Sequence, residues 1–417
     1  MNLKRIIILT GFCAMMQSCL LDSESQYQDY LVARPLTISK EDFRSEPQII
    51  APQPIEKSGK LYAYGNYIFV NEPYKGIHII DNSNPMVPLK TGFIKIPGNM
   101  DVSIKGNYLY ADSLQDLIVM DISNLTDIKQ VSRLENVLQD NIAWPFEAEI
   151  VDTSEWNSES EILIGWEVVL ERRLVAQTEI DLWRGGIFMA EAAMNATDGG
   201  TGQGGSMARF KIVDEFLYAV DSHNINIFNI SDLANPRVLN DVFAGFDIET
   251  IFNQGDRLFL GSMSGMYIYD ITTPESPEFV SEFQHGTACD PVVVDENYAY
   301  VTLRGGNGCG ATESGLYIID IQNIETPKLV KSYPLDEPYG LGVKDFQLFI
   351  CDGNSGLKIY DKTDVMELKE LSHFEDIITY DVIPLESHLL MVGDGILYQY
   401  NYHEDDLELI STLALKN

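Results

Sequence analysis

The chain has 417 residues, 63 of them acidic and 28 basic, for a net charge of −35 with 45% hydrophobic residues. So acidic a surface lacks the basic footprint that binding to phosphate backbones requires, which excludes nucleic acid as a partner class. The apolar content is enough for a large core, and the length is compatible with one domain.

At the N-terminus, Lys4 and Arg5 precede an apolar run from Ile6 to Met16, then Gln17, Ser18 and Cys19. A basic start, a short apolar core and a small residue before the cut describe a secretory signal too short to span a bilayer stably. Cys19 directly after Ser18 makes residues 1–18 resemble a lipoprotein signal peptide, which implies a lipid anchor on Cys19 and durable attachment to a membrane. Met16 stands where such signals usually carry Leu. Leu20 after the cysteine argues against retention at the inner membrane. The acidic run LLDSESQYQDY resembles an outer-membrane export tag and also reads as a solvated tether. Residues 19–55 are therefore expected to be an acidic tether and lead-in, and the outer membrane, at the cell surface, is the expected location. Losing Lys4 and Arg5 with the signal would take the net charge from −35 to −37.

From residue 56 onward one short element recurs: GIHIID ending at Asp81, DLIVMD at Asp121, NINIFN at Asn229, GMYIYD at Asp270, GLYIID at Asp320, GLKIYD at Asp361 and ILYQYN at Asn401. Successive ends are 40, 108, 41, 50, 41 and 40 residues apart. Each element is rich in Ile, Val and Tyr, as buried strands are. Another strand-like run, such as NYLYA or EFLYAV, precedes it, and a Pro- and Asn-rich turn such as NSNPMVP follows. Four short antiparallel strands per unit of about 40 residues is the pattern of a β-propeller blade. The expected fold is all-β: a seven-bladed propeller of four-stranded antiparallel blades over residues 56–417. The segments LIVMD, LYIID and IHIID resemble the LVIVD repeat of bacterial secreted propellers, with units three to seven expected to match best. The resemblance implies a propeller at the cell surface and carries no activity that can be assigned residue by residue.

The 108-residue step is a normal one with about 68 extra residues, which places an inserted subdomain at 138–205 between blades two and three. It holds all four tryptophans, Trp144, Trp156, Trp166 and Trp183, and the segment EILIGWEVVLERRLV, which could be a strand pair or a helix. It ends in GGTGQGGS, read as a flexible hinge. Strand alternation puts this insert on the propeller face that carries the longer connections. Tryptophan is enriched at recognition hot spots, but a subdomain packed on a propeller needs large apolar residues anyway, and a degraded eighth blade is a third reading.

On the same face Cys289 and Cys309 are spaced for a disulfide in a secreted chain, closing a loop of about 20 residues worth on the order of 3 kcal/mol. Cys351 is the spare or the competitor. Aligning the units puts Lys60, Asp101, Arg209, Glu249, Asp290, Gly340 and Asp381 at the start of successive first strands. These would ring the axial channel at its mouth, with His285, Arg304, Tyr339 and Tyr380 near by sequence. Such a ring could bind a polar ligand or perform acid–base chemistry with paired carboxylates, or be a rim of mutually compensated charges.

No histidine pair has metal-ligand spacing, and no nucleophile elbow, phosphate loop or dinucleotide fingerprint occurs, so no metal or cofactor is expected. The favoured function is a binding or scaffold module for a protein or carbohydrate partner, acting through the face with the insert and the charged mouth. The alternative is a hydrolase or lyase using Asp101, Glu249, Asp290 or Asp381 with His285 and Arg304. Open carboxylates beside His285 would favour catalysis; neutralisation by Lys60 and Arg209 under a roof made by the insert would oppose it.

Overall fold

The computed structural model describes residues 27–139, 142, 145, 148–174, 202–206, 208–288, 291–305, 313–403 and 406–416. Among these residues the chain is all-β, and from residue 61 onward it folds largely as a series of antiparallel sheets, each built on four consecutive strands, beside one separate three-stranded sheet. The first strands are Leu61–Tyr64, Val102–Lys105, Phe210–Val213, Phe252–Gln254, Val292–Asp295, Leu341–Lys344 and Asp381–Pro384. Each lies against the first strand of the next sheet, and Leu61–Tyr64 touches both Val102–Lys105 and Asp381–Pro384. The arrangement is propeller-like, with the first strands innermost.

The second strand of each sheet is apolar on both sides because it is sandwiched between neighbouring sheets. Its third residue is a large buried ring in sheets one to six: Phe69, Tyr110, Tyr218, Phe259, Tyr300 and Phe349. Where the ring is tyrosine, its hydroxyl can stitch sheets together. Tyr110 donates to Leu233 O at 2.8 Å and Tyr218 to Pro274 O at 2.9 Å, each a turn carbonyl of the following sheet.

The third strands end on the recurring acid, and the structure gives its purpose. Asp81, Asp121, Asn229, Asp270, Asp320 and Asp361 each accept the backbone N–H two residues on, at 2.7–3.1 Å. A side chain bonded to its own turn in this way competes with continued strand and reverses the chain. Six of the seven sheets then carry a register shift in the fourth strand. Such bulges twist an outer edge away from pairing with another chain. In sheet three the fourth strand is instead broken into Arg237–Val238 and Val242–Phe243.

Sheets one and seven are joined by side-chain and loop hydrogen bonds rather than by a shared strand. Asn82 and Gln399 exchange amide hydrogen bonds of 2.9 and 2.7 Å, Ser411 Oγ donates to Pro85 O at 2.6 Å, and Ile55 N donates to Leu415 O at 2.8 Å.

The lead-in is more than the tether expected from its composition. Tyr27–Ser39 forms the central strand of a separate three-stranded sheet, antiparallel to Glu161–Leu174 and parallel to Ile150–Val151. The ambiguous segment of the insert is thus one long strand, and its partner comes from more than a hundred residues earlier. Gln48–Ile50 adds a fifth strand to the outer edge of sheet one. Gly165 leaves room for the Tyr74 ring, in the loop between strands two and three of that sheet.

Candidate functional site

Of the aligned positions, Lys60, Asp101 and Arg209 come together, and Gly340 lies against Asp381. Lys60 Nζ stands 3.4 Å from Asp101 Oδ2, and both are buried. Asp101 also accepts the backbone N–H groups of Val102 at 2.7 Å, Phe210 at 3.0 Å and Arg209. Behind it, Asp112 Oδ1 accepts Met100 N, Asp101 N and Asn99 Nδ2 at 2.8–2.9 Å. Burial outweighs these bonds and the nearby Arg209, pushing the Asp112 carboxyl up to about 6. Glu249, Arg209 and Asp381 complete the described ring, and all three are buried. Asp290 lies outside the described residues.

The ring is not an open mouth. Residues 202–206, the end of the glycine-rich run, lie along the inner edge of sheet one. Gly202 N donates to Ile104 O at 3.0 Å, Gln203 and Gly204 pair with Ala63 and Tyr62, and Gly205 N donates to Leu61 O at 2.7 Å. At the mouth Ser206, fully buried, gives its N–H and its hydroxyl to Asp381 Oδ1 at 2.7 and 3.1 Å, while its Oγ accepts Leu341 N at 2.6 Å. The expectation of a flexible hinge is corrected for these residues: the glycines provide close approach. A Cβ on Gly205 would fall on Asp381 Oδ2, and one on Gly340 on Ser206 Oγ. This explains the only uncharged position of the ring, Gly340.

Asp381 is 1% exposed, and its Oδ2 is buried without a hydrogen-bond partner. Burial pushes its carboxyl up to about 7, against the lowering effect of the Ser206, Val382 and Leu61 bonds. Arg209 is likewise 6% exposed with Nε and Nη2 unpartnered.

The residues expected around the ring divide into two places. Arg304 lies over the Tyr339 ring, 4.0 Å from its centroid, and Tyr339 meets Tyr380 edge to face at 5.1 Å. The Tyr339 hydroxyl donates to Glu337 Oε1 at 3.0 Å. All four side chains are half-buried, at the end of the molecule where Gly340 and Asp381 begin their strands. His285 stands apart, against Tyr317 of the third strand of sheet five, its Nδ1 beside its neighbour Gly286 O at 2.6 Å. Trp156 and Trp166 are half-buried in the three-stranded region. Trp144, Trp183, Cys19, Cys289 and Cys309 lie outside the described residues. Cys351 is a free, fully buried thiol that burial pushes well up. Among the described residues no group of three or more His, Cys, Asp or Glu is arranged to hold a metal ion.

Ser206, Asn99 and Asp112 were missed in reading the chain. Asp112 had a signal, an acid closing the otherwise apolar run YLYA; Ser206 had none, since a serine after glycines is ordinary loop composition.

The LVIVD repeat model matches residues 57–92, 98–134 and 285–334. These are units one, two and five, rather than the later units expected to match best. None of the curated proteins matches the chain. Among solved structures, a functionally unknown protein from Desulfotomaculum acetoxidans is similar over 85% of this chain and 97% of its own, with 13% identity and a TM-score of 0.52. A candidate 6-phosphogluconolactonase from Bacteroides fragilis is similar over 87% of this chain and 97% of its own, at 9% identity and a TM-score of 0.53. A protein from Lactobacillus plantarum gives 85% and 96%, at 10% identity and 0.52. At such identities the likeness is one of fold alone. With the strand-end acids and three matched stretches in hand, the chain carries LVIVD repeats over residues 57–92, 98–134 and 285–334.

Proposed function

We propose that the sheets are the blades of one seven-bladed disc, that residues 138–205 are a subdomain inserted between blades two and three, and that the protein is a cell-surface lipoprotein serving as a non-enzymatic binding module. Its partner is a carbohydrate or protein docking at the end of the disc where the first strands begin. The observation that carries this reading is the contrast at that end. The charged ring is buried under the chain's own residues 202–206, whereas Arg304, Tyr339, Tyr380 and Glu337 keep part of their surface in water. Two tyrosine rings, with a cation over Tyr339 and a carboxylate on its hydroxyl, offer a sugar ring apolar contact and hydrogen bonds together.

The test is binding of the lipid-free chain to a glycan array, with envelope protein extracts in parallel. Carbohydrate binding lost in Tyr339→Ala and Arg304→Ala but kept in Trp156→Ala supports the reading; unchanged binding in both of the first two overturns the assigned surface. The hydrolase or lyase reading needs a reachable carboxylate, and the ring carboxylates Asp101, Glu249 and Asp381 are buried.

The anchor is proposed to be a lipid on Cys19. Only the residues between Cys19 and Tyr27 would then separate the bilayer from the three-stranded sheet, a reach of at most about 30 Å. Labelled palmitate retained by a Cys19→Ser variant would refute this.

A further inference from the structure

We infer that residues 202–206 are a latch that closes the axial channel over the charged ring, and that the Asp381 carboxyl is the catch that holds it. The inference goes beyond the binding role and does not depend on it. It rests on where the bonds of this segment end. Gly202 to Gly205 are held by backbone bonds to the innermost strands of sheets one and two, a mode of attachment indifferent to side chains and to pH. The mouth end is held differently. Ser206 gives both its donors to one oxygen of Asp381 and takes Leu341 N on its own hydroxyl, so a single side chain ties the latch to sheets six and seven together.

Asp381 is an unusual catch. Three bonds, from Ser206 N, Ser206 Oγ and Val382 N, go to Oδ1, and the Leu61 backbone N–H adds a further favourable contact to the carboxyl. Oδ2 is buried against Gly205 with no partner. A carboxylate leaves that second oxygen charged and unsolvated, whereas a carboxylic acid does not. The titratable groups around it do little to help an anion. Cys351 on the second strand of sheet six carries no positive charge, and Lys60, beside Leu61, faces Asp101 at 3.4 Å. The closed latch therefore prefers the proton, in keeping with the upward shift of this carboxyl. An opened latch lets water reach Oδ2 and prefers the anion. The sign follows: closure is strongest in acid and weakens as pH rises from the ordinary carboxyl range through about 7. A fall in proton concentration would thus expose Lys60, Asp101, Arg209 and Asp381 to solutes in the channel, Arg209 with two donor nitrogens already unpartnered.

The experiment is peptide-resolved hydrogen exchange of the mature chain, corrected for intrinsic rates, at about pH 5 and about pH 8. In the wild type the opening constant of residues 202–206 should rise at least about tenfold between the two, because one unit of pKa difference is a factor of ten. Asp381→Asn, a neutral isostere of the acid, should stay closed at both. Gly205→Ala should be open at both, because its Cβ overlaps Oδ2. Amides of Phe216–Val220, a second strand remote from the latch, report the disc itself. An opening constant that does not change with pH, an Asp381→Asn variant that follows the wild type, or a Gly205→Ala variant as protected as the wild type would each overturn the inference. So would exchange at 202–206 that rises only together with exchange at 216–220, since opening would then be unfolding.

Discussion

Two sets of acids recur at fixed places in the repeat, and they live under opposite conditions. Asp81, Asp121, Asp270 and Asp361 close the third strands at the water-facing turns. Their carboxyls are held below the ordinary range, first by the hydroxyl of the Ser or Thr two residues on and then by its N–H. Asp381 opens a first strand at the axis and is pushed up by burial. The difference teaches that hydrogen bonds alone do not decide the charge of a repeat acid. Asp381 accepts three bonds on Oδ1 alone, whereas Asp270 is partly exposed and has the Arg257 guanidinium 2.7 Å from its Oδ2. The turn acids act on a span of two residues, so each serves its own sheet. Asp101 and Asp381 act across sheets, so each ties neighbouring sheets together.

The strongest way to break this comparison is Asp101→Ala. It removes the carboxylate facing buried Lys60 and the acceptor of the Val102, Arg209 and Phe210 amides. The expected loss is about 3–5 kcal/mol in urea unfolding; a loss below about 1 kcal/mol would place Asp101 with the turn acids. Next, Asp381→Asn should stabilise the protein by roughly 1–3 kcal/mol above pH 7 and by almost nothing near pH 4. The raised carboxyl makes the folded state the better proton binder, so the wild type loses stability as pH climbs from about 4 to about 7. Unfolding curves of both proteins across that window check the sign. Asp270→Ala should cost about 1 kcal/mol, from loss of the Thr272 bonds and the exposed pair with Arg257. The smallest effect is expected for Asp320→Asn, within about 0.5 kcal/mol. Asn229 already fills the same turn in sheet three, accepting Ser231 N at 3.1 Å. A larger loss would show that charge, and not only the acceptor, matters at the turns.

Much of the fold was legible in the chain. The third strands fall on the recurring segments, and Asp81, Asp121, Asp270, Asp320 and Asp361 end them as the alignment requires. The alignment also brought Lys60 and Asp101 together, because equal steps along a repeat become equal angles around an axis. The contact of His285 with Tyr317 was not legible, because closeness in sequence to a ring position says nothing about which strand a side chain faces. The glycine run was misjudged because glycine permits both mobility and close approach, and only the neighbour decides between them.

What the sequence by itself determined are the local devices: apolar strands, turn acids and their period, all made of interactions within a few residues. What only the tertiary structure decided is what fills the centre and what partners the lead-in. Ser206 reaches Asp381 across 175 positions, and Tyr27–Ser39 finds Glu161–Leu174 across more than a hundred. No local propensity encodes such pairs. They form because the propeller-like packing of the sheets leaves buried acceptors near the first strands, and a strand edge at Glu161–Leu174, that need a partner out of water.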